Sequence, residues 1–291
     1  MFETFSRSWE ITKLSFSVMK KDKELLLFPL LAGVFSILFI LTMLFPSIIS
    51  SIMGGNVLGN YGLIDYILIF ITYLGLAFIS TFFNVCVIYT TKIRFEGGNA
   101  TFWDSISFAR SKIRLIFLWS VIAATVGLIL RVIDNIAERS GEPGKILLNI
   151  TTYILGMMWS IITVFVVPAM VYHDLEPFDA IKKSVETLKR TWGESLIRYV
   201  GLGSIQFLFI LLGIVFTIIL LFVLGGLGPV GIIITIAIAV LYFLGVILVF
   251  NVANTIFNTA LFVYSDTGKI PEGYNRETIQ NAFKPKETRN I

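Results

Sequence analysis

Long, uninterrupted apolar runs alternate along the chain with short segments in which charge and bulk are patterned. Six runs stand out, near Leu25–Ser50, Gly62–Thr91, Ile113–Ile133, Ile146–Tyr172, Leu196–Leu224 and Pro229–Tyr264. A helix needs roughly 20 apolar residues to cross a bilayer, whereas the strands of a membrane barrel are short and alternate in polarity. The runs therefore predict six membrane-spanning helices. Several are longer than the bilayer requires, so the helices are expected to tilt or to project past the lipid. Between the fifth and sixth runs the only interruption is Gly225-Gly226-Leu227-Gly228-Pro229, which predicts a tight turn.

The segments between runs carry helical periodicity of their own. From Pro177, apolar residues recur at Phe178, Ile181, Val185, Leu188 and Trp192, spacings that place them on one stripe of a helix. Lys182, Lys183, Glu186, Lys189 and Arg190 occupy the other faces. Pro177 suits the first helical position and Asp179 the positive end of the helix dipole. The N-terminal segment repeats the stripe with Phe2, Phe5, Trp9, Phe16 and Met19, Thr12 filling the missing slot. In the middle segment Thr101 and Asp104 read as a cap, and the stripe runs Phe102, Ile106, Ala109 and Ile113. A basic helix with a bulky apolar side is suited to the headgroup layer of anionic lipid. Trp9, Phe16, Phe102, Trp103, Phe178, Lys182, Lys183, Lys189, Arg190 and Trp192 are thus the expected lipid-facing residues of three interfacial helices.

Short echoes connect these segments. Arg7-Ser8-Trp9-Glu10-Ile11-Thr12-Lys13 and Lys183-Ser184-Val185-Glu186-Thr187-Leu188-Lys189 share the pattern basic-Ser-x-Glu-x-x-Lys. Thr81-Phe82-Phe83-Asn84 resembles Thr255-Ile256-Phe257-Asn258, each ahead of a tyrosine, Tyr89 or Tyr264, and Pro168 and Tyr172 hold similar places in the fourth run. The expected fold is all-α, one polytopic integral membrane domain over 1–291. It is built of three parallel repeats, roughly 1–97, 98–176 and 177–291, each an interfacial helix followed by a helix hairpin.

Composition agrees and adds an orientation. Of 291 residues 56% are hydrophobic and 14% charged, against about a quarter charged in a soluble domain. Arg131, Arg139 and Lys145 lie around the third-to-fourth connection; every other Lys and Arg falls at the N-terminus, after the second run, after the fourth, or in the tail. Positive charge marks the cytoplasmic side, so both termini are expected inside, in the cytoplasmic membrane of a prokaryote. The first run does not read as a cleaved signal, because mixed sequence precedes it and it is long enough to span. The single cysteine, Cys86, permits no internal disulfide, and neither end shows a lipidation motif.

Candidate chemistry is sparse. His173-Asp174-Leu175-Glu176-Pro177-Phe178-Asp179 holds the only histidine. Imidazole and carboxylates are metal ligands, but one histidine is a thin supply, and a helix start explains the acids equally. No metal, cofactor or catalytic residue is expected, and the protein is read as non-enzymatic. Asn251, Asn254 and Asn258 share nearly one face of the sixth run; Asn84 holds the corresponding depth in the second, and Gln206 lies in the fifth. Such amides either bond helices together or line a polar path for a small solute. Arg131 and Asp134 are spaced to pair along one helix, and Asp65 lies near the outer start of its run. No ladder of Asp, Glu or His crosses the bilayer, which argues against a proton-driven pump. The basic clusters sit beside spans and no phosphate loop is present, so nucleic acid is not an expected partner.

Phe5-Ser6-Arg7-Ser8-Trp9, Asp22-Lys23-Glu24-Leu25-Leu26 and Phe28-Pro29 resemble the opening of an uncharacterised multi-pass membrane family of bacteria and archaea. Tyr264-Ser265-Asp266-Thr267-Gly268-Lys269-Ile270-Pro271-Glu272-Gly273-Tyr274, with Ala282-Phe283, resembles its C-terminal signature. More loosely, Ala180–Trp192 resembles helices in the membrane domain fused to some glycerophosphodiester phosphodiesterases, whose catalytic domain is missing here. The resemblance implies topology and transfers no activity. Two functions follow from the residues: a lipid-interacting scaffold or accessory subunit, with a homo-oligomer or another membrane protein as partner, or a permease for a lipid or small amphiphile with an Asn-lined cavity.

Overall fold

A computed structural model describes residues 2–52, 63–192, 203–271 and 274. Among these the chain forms ten α-helices: α1 (Phe2–Lys21), α2 (Leu27–Ile52), α3 (Leu63–Phe95), α4 (Phe102–Ser111), α5 (Ile113–Glu138), α6 (Glu142–Ile162), α7 (Val166–His173), α8 (Pro177–Trp192), α9 (Gly203–Leu224) and α10 (Pro229–Thr267). Six helical segments are long and apolar enough to cross a membrane; the fourth, Glu142–His173, consists of α6 and α7 together. In chain order a shorter helix precedes each pair of long ones: α1 before α2 and α3, α4 before α5 and α6–α7, α8 before α9 and α10. The first part of the fifth run, from Leu196, lies outside the described residues.

The chain divides into two compact units that interleave in sequence. One comprises Met1–Leu27, Thr90–Asn99 and Leu188–Ile291. In it α1 packs against α9 and α10, with Phe16 edge-on to Phe250 at 5.8 Å and Phe209 against the same ring at 5.6 Å. The α9–α10 hairpin closes through small residues. Gly231, Thr235 and Ala239 recur every fourth position on α10 and are buried, the small-residue seam that lets membrane helices approach. On α9, Gly213 lies under the Tyr242 ring, whose hydroxyl donates to the Phe209 carbonyl at 2.9 Å. The turn between them is made by a short 3₁₀ segment, Gly225–Leu227, and by Gly228 at φ 65°. That backbone region strongly favours glycine, and Pro229 then opens α10 where a missing N–H costs nothing.

The other unit comprises Phe28–Tyr89 and Ala100–Thr187. Gly75 of α3 accepts the Phe39 ring of α2, and Gly127 of α5 the Tyr73 ring of α3. Trp119 of α5 stacks on Trp159 of α6 at 5.9 Å. In this unit α4 seats on α2 and α3. Phe102 stacks on Phe28 at 5.2 Å and Phe108 on Tyr89 at 4.2 Å, while the Cys86 thiol faces the Ser105 carbonyl at 3.5 Å.

Burial along the helices is uneven. On α10 large exposed apolar side chains run from Val230 to Ile247 and then stop; from Phe250 to Phe262 most residues are buried. On α3 exposure is concentrated at Ile64–Ile71, while Val85–Ile88 are almost fully enclosed. The core of each of these long helices therefore lies in the half nearer the connecting helices, and the other half presents apolar side chains outward, as lipid requires.

Candidate functional site

The connecting helices and the loops beside them concentrate the polar chemistry of the chain. Each docks by its small and hydroxyl-bearing residues. On α8 the buried positions are Pro177, Ala180, Ser184, Thr187 and Leu188; on α4, Ser105 and Ala109; on α1, Thr12, Ser15, Val18 and Met19. Small side chains allow close approach, and their hydroxyls bond groups that helices leave over. Sequence reasoning missed this face because it weighed bulk. The bulky stripe it identified on α8 lies beside the docked face: Phe178 is 70% exposed, Ile181 and Val185 are half-buried, and only Leu188 is enclosed.

Superposing the buried positions of α4 and α8 aligns Ser105 with Ala180 and Ala109 with Ser184. The same register aligns Asp104 with Asp179 and Trp103 with Phe178. Trp103 and Phe178, each the second residue of its helix, are exposed to 74% and 70%. Of the other predicted lipid-facing residues, Trp9, Lys182, Lys189 and Arg190 are exposed and Phe16, Phe102 and Lys183 half-buried; the Trp192 side chain lies outside the described residues.

The caps at these helix starts are built as their sequences imply. Thr101 and Asp104 form a reciprocal capping box, the Thr101 N–H donating to Asp104 at 2.9 Å and the Asp104 N–H to the Thr101 hydroxyl at 3.2 Å. The backbone N–H of Thr101, with its hydroxyl second, holds the Asp104 carboxyl below the usual carboxylate range. The acids of the His173–Asp179 segment each meet a cation. Asp174 caps α7 in the left-handed conformation, φ 55°, and pairs with Lys112 at 2.7 Å; Glu176 pairs with Arg114 at 3.2 Å and Asp179 with Lys182 at 3.1 Å. At the junction of α1 and α2, Asp22 receives a bidentate Arg94 guanidinium, which also donates to Asn99 at 2.7 Å. In the same unit Tyr274, carried by the C-terminal segment, bonds Ser15 through the two hydroxyls at 2.9 Å and packs edge-on to Phe95 at 5.9 Å.

The amides lie at one end of their helices. The exposed apolar band of α10 ends at Ile247. From Pro229 the helix rises about 33 Å to Asn251 and about 44 Å to Asn258 at 1.5 Å per residue, against a hydrocarbon core of about 30 Å. Asn251 is exposed; Asn254 and Asn258 are half-buried. Half-buried Asn84 is about 32 Å along α3 from Leu63, and half-buried Gln206 about 27 Å from the far end of α9. Asn84 belongs to one compact unit, Gln206 and the other three to the second. Each amide thus sits beyond or at the edge of the exposed apolar band of its own helix.

A family model described as a family of unknown function matches residues 63–272. No curated protein and no solved structure matches the chain.

Proposed function

We propose that this protein, which belongs to DUF6159, a family of unknown function, is a non-enzymatic, lipid-interacting integral membrane protein, a scaffold or accessory subunit whose connecting helices lie on an anionic lipid surface. The observation that carries the reading is the pair of equivalent, exposed aromatics at the starts of α4 and α8. An exposed Trp or Phe in water is a liability; at a headgroup boundary it is an anchor. Exposed Lys182, Lys189 and Arg190 on α8, Arg110 on α4 and Arg114 at the start of α5 supply the charge that anionic headgroups attract.

The reading takes the chain as three units of interfacial helix plus hairpin, a reading the order of helices supports. Each connecting helix is seated within its own neighbourhood: α4 on α2 and α3, α8 on the α6–α7 break, and α1 on α9 and α10. A connecting helix seated across a returning span lies along the boundary where the exposed apolar band ends, as Phe16 does beside Phe250. The permease reading receives less support, because the amides it needs sit near one boundary rather than at the midplane where transporter sites lie.

The test is the reconstituted full-length protein in vesicles of phosphatidylcholine with brominated acyl chains, with and without phosphatidylglycerol. The Trp103 contribution, taken as the difference between wild type and Trp103→Phe, is expected to be quenched. Native mass spectrometry is expected to show anionic phospholipid retained over neutral. Unquenched Trp103, with retention of a discrete small solute that an Asn84→Leu, Asn258→Leu double variant loses while folded, would replace this reading with the permease.

A further inference from the structure

Where α4 passes into α5 and where α7 passes into α8, two ion pairs stand side by side. Lys112 pairs with Asp174 at 2.7 Å and Arg114 with Glu176 at 3.2 Å. Both cations belong to one stretch of chain and both carboxylates to the other, two residues apart in each case. The backbone on either side is fixed. The Lys112 N–H bonds the Phe108 and Ala109 carbonyls, closing α4 as α5 begins. The Asp174 N–H bonds the Met170 carbonyl, and the Glu176 carbonyl accepts from the Ala180 N–H in the first turn of α8. The side chains of Arg114, Asp174 and Glu176 are 80%, 63% and 49% exposed, and ion pairs so open to solvent contribute little to stability. Three of the four charges also oppose a helix dipole. Lys112 and Arg114 stand at the positive end of α5, whose first turn holds no acid, and Asp174 at the negative end of α7. Neither capping nor stability accounts for this arrangement.

We propose that the two pairs form a seat for one phosphatidylethanolamine headgroup, its phosphate on Lys112 and Arg114 and its ammonium on Asp174 and Glu176. The proposal rests on the lipid reading, which puts exposed Phe178, two residues from Glu176, at the headgroup boundary. A row of cations beside a row of anions is the complement of a zwitterion. In phosphatidylethanolamine a short ethylene bridge joins the two charges, so one molecule meets both rows. Arginine presents a planar fork of N–H donors suited to phosphate oxygens. Each ion pair engages one carboxylate oxygen, Oδ1 of Asp174 and Oε1 of Glu176, and a primary ammonium brings N–H donors to acceptors of this kind. The same chemistry works against other headgroups. Phosphatidylcholine carries a cation without N–H donors. Phosphatidylglycerol carries no cation and brings its phosphate beside two carboxylates. Anionic lipid is held instead by Lys182, Lys189 and Arg190, outside the seat. Because both rows are set on fixed helix ends, little ordering is needed on binding.

The experiment uses the full-length protein in vesicles of phosphatidylcholine, phosphatidylglycerol and phosphatidylethanolamine in equal parts, with bound lipid read by native mass spectrometry. One phosphatidylethanolamine per chain is expected, retained about tenfold over phosphatidylcholine, the scale of a charge-assisted hydrogen bond. Replacing it with its N-monomethyl and N,N-dimethyl derivatives is expected to lower retention stepwise as donors are lost, a series that needs no substitution in the protein. Asp174→Asn, Glu176→Gln, in which asparagine keeps the left-handed cap, is expected to retain phosphatidylethanolamine and phosphatidylcholine equally. Equal retention of the two lipids by the wild type, with Trp103 still quenched by brominated chains, overturns the seat and leaves the lipid reading standing. An unchanged preference in the double variant overturns the assignment to these carboxylates. Displacement of the lipid by soluble phosphoethanolamine would make the ligand a water-soluble zwitterion and overturns a seat for lipid. Unquenched Trp103, with no phospholipid retained, overturns the lipid reading and the seat with it.

Discussion

One hydroxyl, that of Ser184, donates to the Ile162 carbonyl and accepts from the buried Phe165 N–H. Leaving a buried donor or acceptor unmade costs about 1–3 kcal/mol each. Ser184→Ala is therefore expected to lower stability by roughly that much or more, measured as a fall in the unfolding midpoint in detergent; an unchanged midpoint would show that the break relaxes without the serine. A second residue-scale prediction concerns Asp22 and Arg94, whose side chains are 6% and 20% exposed. Removing one member of a buried pair strands the other charge. Arg94→Ala leaves the more deeply buried carboxylate alone and is expected to cost about 3–5 kcal/mol. Asp22→Asn keeps the shape, leaves Arg94 partly solvated, and is expected to cost less. Denaturation midpoints of the two variants check the order.

At the scale of elements, glycine placement decides which helix ends tolerate change. A Cβ on Gly231 would overlap the Leu224 carbonyl, whereas one on Gly245 meets open space. Gly231→Ala is expected to disrupt the α9–α10 turn and lower yield of folded protein in size-exclusion chromatography. Gly245→Ala on the same helix is expected to be neutral or up to about 1 kcal/mol more stable, the helix-propensity difference. The start of α4 carries a pH signature. Because Thr101 holds the Asp104 carboxyl below the usual range, the capping box is fully formed above the ordinary carboxylate pKa and is lost as pH falls through the lowered value. Amide exchange in the first turn of α4 should quicken only below the pH at which a free Asp protonates, and Asp104→Asn should remove that transition. The Thr101–Asp104 spacing made this cap legible in the sequence. The docking faces of the same helices were not legible, since Ala180 and Ser184 look featureless until a neighbouring backbone is placed against them.

For the whole molecule, six crossings would put Lys13 and Lys269 on one side, and the basic segments predict that side to be the cytoplasm. With Cys86→Ala as background, Lys13→Cys and Lys269→Cys are expected to resist a membrane-impermeant thiol reagent in intact cells, while Glu142→Cys reacts; opposite sidedness of Lys13 and Lys269 would mean an odd number of crossings. The amides illustrate how depth escapes a linear reading. Asn251, Asn254 and Asn258 stand in what reads as one long apolar run, yet α10 is 39 residues long, about 58 Å at helical rise. Only its burial profile shows where the exposed apolar part ends.

The sequence by itself determined the all-α class, the number and order of apolar helices, and the caps and turns. Those follow from hydrophobic run length, periodicity and the backbone demands of Gly, Pro, Thr and Asp, all of which act over a few residues. Tertiary structure decided what each connecting helix seats on, where the apolar band of each long helix stops, and how Ser184 bridges the α6–α7 break. These depend on which backbone groups are left unbonded and which surfaces are left uncovered after packing, and residues far apart in sequence supply the answer.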